Sequence, residues 1–337
     1  MSVISPYLTD HNTFRIRAKA RGVYPLESID GLIDFLKGHR NEPYLVLGQG
    51  SNVLFTEDYP HDVALVRWLG KRIEPYSETE ALLIAAAGEP WHELVMWSLH
   101  QQLGGLENLA LIPGSTGAAP LQNIGAYGVE VKDVFEWCKA IHRNTLEERI
   151  FTFDQCDFGY RESVFKKDLK DQYIITEVAL RLSKKNHQLN TSYAPLKAWF
   201  EERNNQTPIT PLDIAEAVCH IRNSKLPDPK VIGNAGSFFK NPVISAAQAQ
   251  LLRAQNESTP LYPQADGRFK VAAGWLIEKL QLKGFSMGQA GVHDKQALVL
   301  INKGEASGRE IFELSAYIKQ QVTQTYGIEL EEEVTIF

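Results

Sequence analysis

LGQGSNVLF at Leu47 to Phe55 and PGSTGAAPLQNIGAYG at Pro113 to Gly128 decide how this chain is read, because each glycine-studded run follows or interrupts a strand-like apolar stretch. Glycine costs conformational entropy. Clusters such as Gly48, Gly50, Gly114, Gly117, Gly125 and Gly128 therefore make sense where backbone turns sharply and presents N–H groups to phosphate oxygens. Neither run continues into the strand, glycine turn and long helix of a Rossmann βαβ unit with an acidic residue beyond it. Two separate phosphate loops point instead to a dinucleotide held in a two-lobed cradle. Singly, either run reads equally well as an ordinary turn, so the inference rests on the pair.

Working outward, residues up to about 70 alternate short β-rich segments (YLVLG, HDVALVRW) with one helical stretch, Ser28 to Gly38, for which Ser28 is the N-cap candidate. From Leu82 to about Leu182 the strands ALLIAAAG, VFEWCKAIH, RIFTF and YIITEVALRL surround a helix near Trp91 to Leu103. Ser183 to Thr210 is polar and irregular and reads as a linker or mobile loop. Beyond it, Ser245 with Gln248 and Ser307 with Glu310 are capping-box patterns. Ala273, Leu276, Ile277 and Leu280 repeat at helical spacing until Gly284. Ile311, Leu314, Ile318 and Val322 stripe a helix that Gly327 ends. With the strand ALVLIN between them and an alternating strand from Ile328 onward, this part reads as a small α+β domain.

The 337 residues, 44% hydrophobic and 23% charged, suffice for two or three domains with their own cores. No apolar run approaches the ~20 residues of a membrane span, and MSVISPYLTDHNTF lacks the basic flank and apolar core of a signal peptide. A cytoplasmic protein is expected, with no membrane partner. Cys138, Cys156 and Cys219 are widely spaced and form no CxxC pair, which argues for reduced packing residues rather than disulfides or a zinc site. His100, His142, His220 and His293 show no metal-ligand spacing, so no metal is expected. A net charge of −6 argues against nonspecific nucleic-acid binding. Arg222, Lys225, Lys230 and Lys240 nevertheless fall close together beside a glycine turn, where they read either as a local anion field or as solvated surface.

The two glycine runs in order, closed by QNIGAYG, resemble the FAD-binding domain of the vanillyl-alcohol oxidase (PCMH) type and, within it, the UDP-N-acetylenolpyruvoylglucosamine reductase (MurB) family. The resemblance extends over nearly the whole chain. It runs through NTFRI at Asn12 to Ile16, FGYRESVFK at Phe158 to Lys166, KLPDP and GNAGSFFKNP between Lys225 and Pro242, AAGWLIE at Ala272 to Glu278, and the terminal LEEEV. It implies an α+β fold: a two-lobed PCMH-type FAD-binding domain followed by a smaller α+β substrate-binding domain. The lobes would be residues 1–72 and 73–205, with the PCMH-type domain at about 14–185. The substrate domain would be 206–327, and 328–337 a terminal strand carrying a catalytic glutamate.

The activity implied by the resemblance is NADPH-dependent reduction of the enolpyruvyl ether of UDP-N-acetylglucosamine to UDP-N-acetylmuramate through noncovalent FAD, in peptidoglycan precursor synthesis, by a monomer. Such chemistry needs the cofactor's electrons, a group that stabilises charge on the acceptor's carboxylate, and a proton for the carbon left as an enolate. Arg161 in FGYRES matches the family's carboxylate-side arginine, whose fork lysine could not reproduce. A structural ion pair with Glu162 or Asp157 is the competing reading. Ser237 in GNAGSFFKNP matches the proton donor, against the alternative of a cap or turn residue. Glu333 matches the third catalytic residue. Ile328, Leu330, Val334 and Ile336 share one parity, however, so alternation alone nominates Glu332 as the buried carboxylate.

The resemblance further implies cofactor contacts from Gly48, Gly50, Ser51, Asn52, Gly114, Thr116, Gly117, Ala118, Gln122, Gly125 and Arg222. It implies substrate contacts from Tyr127, Tyr193, Lys225, Asn241 and Gln296, with Tyr193 as a lid over the nucleotide pyrophosphate. Two rivals remain: an oxidase of the same fold, disfavoured because no His or Cys lies in either glycine run to tether a flavin, and a flavin- or nucleotide-binding protein without turnover.

Overall fold

A computed structural model describes residues 3–203 and 208–337. The expected boundary between residues 205 and 206 lies outside the described residues. By contacts the chain forms two compact units that cut across the lobes expected from sequence. One comprises Met1–Pro6, Arg21–Gln49 and His61–Ser224, and the other Tyr7–Ala20, Gly50–Pro60 and Lys225–Phe337.

In the first unit, Val23–Leu26, Asp62–Val66 and Tyr44–Leu47 form a three-stranded parallel sheet with Asp62–Val66 in the centre. Parallel strands need a crossover, and the helix Ile29–Gly38 supplies the one that links the two outer strands. The Ser28 hydroxyl caps this helix by accepting from the Gly31 amide at 3.1 Å, and Leu32, Phe35 and Leu36 are buried along one face. The second sheet of this unit is antiparallel, in the order Glu148–Thr152, Phe135–His142, Tyr173–Ser183, Glu80–Ala86, Lys71–Pro75. The helix Trp91–His100 packs on it through Trp91, Leu94, Val95 and Leu99, and the Trp91 indole donates to the Leu109 carbonyl at 3.0 Å. The helix Pro211–Lys225 buries Ile214, Ala215, Val218 and Ile221 in the same core.

The segment expected as a linker from Ser183 to Thr210 contains a helix, Ala194–Arg203. Its sequence carries almost no amphipathic signal. What orders it is tertiary: Leu196 is fully buried, and the Trp199 ring lies 4.4 Å from that of His220 on the following helix.

The second unit holds a four-stranded antiparallel sheet ordered Gly233–Ser237, Val299–Asn302, Ala290–Val292, Ser286–Met287, and a small sheet ordered Val243–Ile244, Phe269–Val271, Leu261–Pro263. Both capping boxes form, ahead of the helices Ala246–Gln255 and Gly308–Tyr326. Gly327 closes the latter helix with φ 63°, and Ile311, Leu314, Ile318 and Val322 are buried. The helix beginning at Ala273 ends at Lys279, before Gly284. The expected terminal strand is shorter than its alternation suggests. Only Thr335–Ile336 ladder, in parallel with Val53–Leu54, while Glu332 makes an isolated bridge to Phe239.

That pairing explains why part of the first glycine run belongs with the C-terminal half. Gly50 has φ 63°, and a Cβ there would lie 2.0 Å from the His11 carbonyl oxygen, so only glycine fits against the NTFRI segment. Gly308 is constrained in the same way, since a Cβ there would sit 1.7 Å from the Phe55 carbonyl oxygen. Gly308→Ala is therefore expected to destabilise the fold by about 1–3 kcal/mol through overpacking. Denaturant melts read this directly, and an unchanged midpoint would mean the helix start can retreat without cost.

Candidate active site

Within the first unit, the start of the first glycine run meets the second. The Ser115 hydroxyl lies against Gly48, 2.2 Å from where a Cβ would be, and the Gly114 amide donates to Gln49 Oε1 at 3.2 Å. The Thr116 and Gly117 amides are committed inside the protein, to the carbonyls of Glu89 at 2.8 Å and Ala87 at 2.9 Å. The Thr116 hydroxyl also donates to the Glu89 carbonyl at 3.0 Å, and Ala118 N–H returns to the Ser115 carbonyl. These residues thus fix the loop's shape.

The closing QNIGAYG loop and Arg161, which binds it, carry strained backbone. Asn123, Tyr127 and Arg161 all have positive φ, at 44°, 50° and 56°. Non-glycine residues tolerate this only where the surroundings over-determine them, and such strain concentrates at functional sites. Asn123, fully buried, supplies that determination: Nδ2 donates to Glu130 at 3.1 Å and to the Gly159 carbonyl at 3.0 Å, and Oδ1 accepts from the Lys132 amide. Arg161 donates from Nη2 to the Gly125 carbonyl at 2.7 Å and from Nη1 to the Asn123 carbonyl at 3.5 Å. Glu162 and Asp157, its expected rivals for partner, both face Lys167, at 3.1 and 3.7 Å.

Near Arg161 lies Arg222. Burial holds its guanidinium below the ordinary arginine value, Tyr127 and Cys219 oppose that shift, and Arg161 adds to it. Its Nε is buried and makes no hydrogen bond among the described residues. A desolvated cation with an open donor suits an anionic guest, and the residues present therefore fit a phosphate-bearing cofactor such as FAD. Burial also raises the Tyr127 phenol, against Arg222, and lowers His92, whose Nδ1 accepts from the Leu111 amide at 3.0 Å. Tyr193, 47% exposed, meets Tyr127 edge-on with ring centroids 5.3 Å apart. Asn108 ties their segments together by donating to the carbonyls of Tyr127 and Asn190.

The second unit brings Ser237 and Glu333 together. Asn234, buried, donates from Nδ2 to the carbonyls of Pro227 and Ile232 and accepts from the Gly236 amide at 2.9 Å. With Gly236 at φ 70° this produces a bulge before Ser237 in the pairing to Val299, a device that re-aims a side chain beside a site. The Ser237 hydroxyl caps no helix. One residue on, the Phe238 carbonyl accepts from the Glu333 amide at 2.8 Å, and the Lys240 amide donates to the Glu331 carbonyl at 2.9 Å. Lys240 and Glu331 also pair through their side chains.

Periodicity and chemistry separate the two glutamates. Glu332 shares the parity of buried Ile328, Leu330 and Val334, and both its carboxylate oxygens accept from Lys319, at 2.8 and 2.9 Å. Its charge is thereby neutralised within the scaffold. Asn241 Oδ1 accepts from the Ala273 amide at 2.9 Å, and Gln296 Oε1 lies at Gly274 and accepts from the Leu298 amide at 3.4 Å, so both meet the start of the helix Ala273–Lys279. Ser51 and Asn52 lie in the second unit, Gln122 in the first, and Lys225 is exposed at the end of its helix. Arg222 falls in the first unit and Lys225, Lys230 and Lys240 in the second.

Asn108, Asn123, Asn234 and His92 escaped the sequence reading. Asn234 sits between the turn glycines Gly233 and Gly236, an available signal, whereas Asn123 finds its partners farther along the chain, at Glu130, Lys132 and Gly159. Among the described residues no group of three or more His, Cys, Asp and Glu could hold a metal, and no helix is long and apolar enough to cross a membrane.

Comparison with known proteins adds to this geometry. Residues 228–337 match the C-terminal domain family of UDP-N-acetylenolpyruvoylglucosamine reductase, and residues 21–145 match an FAD binding domain family. The UDP-N-acetylenolpyruvoylglucosamine reductase of Flavobacterium johnsoniae is 44% identical over 98% of this chain and 97% of its own. That of Pseudomonas aeruginosa is 45% identical, covering 98% and 97%. The crystal structure of UDP-N-acetylenolpyruvylglucosamine reductase (MurB) from Thermus caldophilus covers 100% of this chain and 99% of its own with a TM-score of 0.68; at 24% identity it is a likeness of fold.

Proposed function

From the premise that the chain belongs to the UDP-N-acetylenolpyruvoylglucosamine reductase family and is an FAD-dependent oxidoreductase, we propose that it uses NADPH to reduce the enolpyruvyl ether of UDP-N-acetylglucosamine to UDP-N-acetylmuramate, in the cytoplasm, as a step of peptidoglycan precursor synthesis. The observation that carries the reading is the main-chain bond from Glu333 to Phe238, which makes an acidic residue the strand neighbour of a serine whose hydroxyl is not engaged as a cap.

Bound FAD would supply the hydride, received from NADPH and given to the β-carbon of the enolpyruvyl group. Residues of the two glycine runs, from Gly48 to Asn52 and Gly114 to Gly125, and Arg222 would be its contacts. Arg161 stabilises the charge that develops on the substrate carboxylate, at a guanidinium already fixed by two carbonyls. Ser237 delivers the proton to the enolate carbon, with Glu333 beside it as the third catalytic group. Tyr193 and Tyr127 cover the nucleotide, and Lys225, Asn241 and Gln296 contact it. Charge on both the sugar nucleotide and NADPH suits one cleft used in turn.

The protein is expected to be yellow as purified and to release FAD on acid precipitation, because neither glycine run holds a His or Cys to tether it. It should then consume NADPH only when the enolpyruvyl sugar nucleotide is supplied. Flavin left in the pellet counts against noncovalent binding. Oxygen consumption with an alcohol or sugar, without NADPH turnover, would establish the oxidase reading, and absence of any turnover the binding-protein reading.

A further inference from the structure

Asn52, in the first glycine run, holds a residue far along the chain. Its Nδ2 donates to the main-chain carbonyl of Glu333 at 3.0 Å, across a sequence separation of 281, and its own carbonyl accepts from the Thr335 amide at 3.0 Å. On the other side, the Glu333 amide donates to the Phe238 carbonyl at 2.8 Å. Glu333 is thus gripped at both main-chain polar groups, by the segment that carries Ser237 and by the asparagine. The regular parallel ladder begins only at Val53 with Thr335, so the Asn52 side chain extends the pairing back onto Glu333 where backbone pairing has ended. A carbonyl held in this way fixes the rotation of its peptide, and with it the direction in which the Cα–Cβ bond of the same residue leaves the chain.

We infer that Asn52 is a positioning residue that acts through Glu333: its hydrogen bond to the Glu333 carbonyl sets where the Glu333 carboxyl stands relative to the Ser237 segment during protonation of the substrate. The inference rests on the reading of Glu333 as catalytic. It also gives the first glycine run a second task, beyond contact with the cofactor, on the side of the reacting substrate. Small misplacements of a catalytic group carry large kinetic costs, so the effect of losing this bond falls on the rate of one step.

The test is a double-mutant cycle on the reduced enzyme. Asn52→Ala and Asn52→Asp, the second similar in size but without the donor, are prepared alone and combined with Glu333→Gln. Flavin content, thermal midpoint, the rate of reduction by NADPH and the pH profile of single-turnover reoxidation by the enolpyruvyl sugar nucleotide are then measured for each. Measured on FAD-saturated enzyme, both Asn52 variants are expected to slow reoxidation by about tenfold or more beyond any change in the NADPH step, and to displace its pH profile. In the Glu333→Gln background they should add almost nothing. If Glu333→Gln leaves reoxidation intact, the catalytic reading of Glu333 fails first. If Glu333→Gln is impaired and the Asn52 loss multiplies in full on top of it, the asparagine acts independently and the inference is overturned. Loss confined to flavin retention, or loss of the fold in both variants, overturns it as well, since Asn52 would then be a cofactor contact or a scaffold residue.

Discussion

Ser237→Ala should bind FAD, accept hydride from NADPH at a near-normal rate, and stall when the reduced enzyme meets the enolpyruvyl sugar nucleotide. Removing a positioned general acid costs about 10²- to 10⁴-fold in the step it serves. The structure sharpens the expectation, because Ser237 ends a strand after a bulge built by Asn234 and Gly236 and caps no helix. Truncating its hydroxyl therefore removes no cap, and the thermal midpoint should barely move. Ser237→Cys keeps an acidic proton at nearly the same place and should recover part of the rate. Single-turnover flavin reoxidation in both variants, beside a melt, decides the matter. Near-normal reoxidation in Ser237→Ala would assign the proton to another group or to water, and a shared loss of about 1 kcal/mol in stability with normal rates would make the residue a turn element.

Arg161→Lys is expected to leave the NADPH half-reaction nearly intact and to slow reoxidation by substrate on the order of 10²-fold or more, by comparison with loss of one oxyanion donor. Two consequences of the substitution act in the same direction. Lysine cannot present the parallel donors that match a carboxylate, and it cannot reproduce the bonds from Nη1 and Nη2 to the carbonyls of Asn123 and Gly125 that hold the guanidinium and the QNIGAYG loop together. Stopped-flow traces with reoxidation unchanged would remove Arg161 from the mechanism. Equal slowing of both half-reactions would point to collapse of the loop, which the strained φ values at Asn123, Tyr127 and Arg161 make its characteristic failure.

What the sequence determined by itself is what depends on neighbours in the chain. The caps at Ser28, Ser245 and Ser307, the stop at Gly327 and the buried stripe Ile311, Leu314, Ile318 and Val322 follow from local hydrogen bonding and helical periodicity. The ordered strings around the two glycine runs sufficed for the α+β fold and the FAD-binding family. Tertiary structure decided whatever depends on a distant partner. The helix Ala194–Arg203 forms in a segment without helical patterning because Leu196 and Trp199 find a core. Alternation put Glu332 on the apolar face, and only the fold supplied Lys319 to neutralise it, leaving Glu333 beside the Ser237 segment. Gly50 and Gly48 are also places of close approach, of backbone to the His11 carbonyl and to the Ser115 side chain. No local pattern encodes such contacts, because their steric cause lies in residues that meet only when the chain is folded.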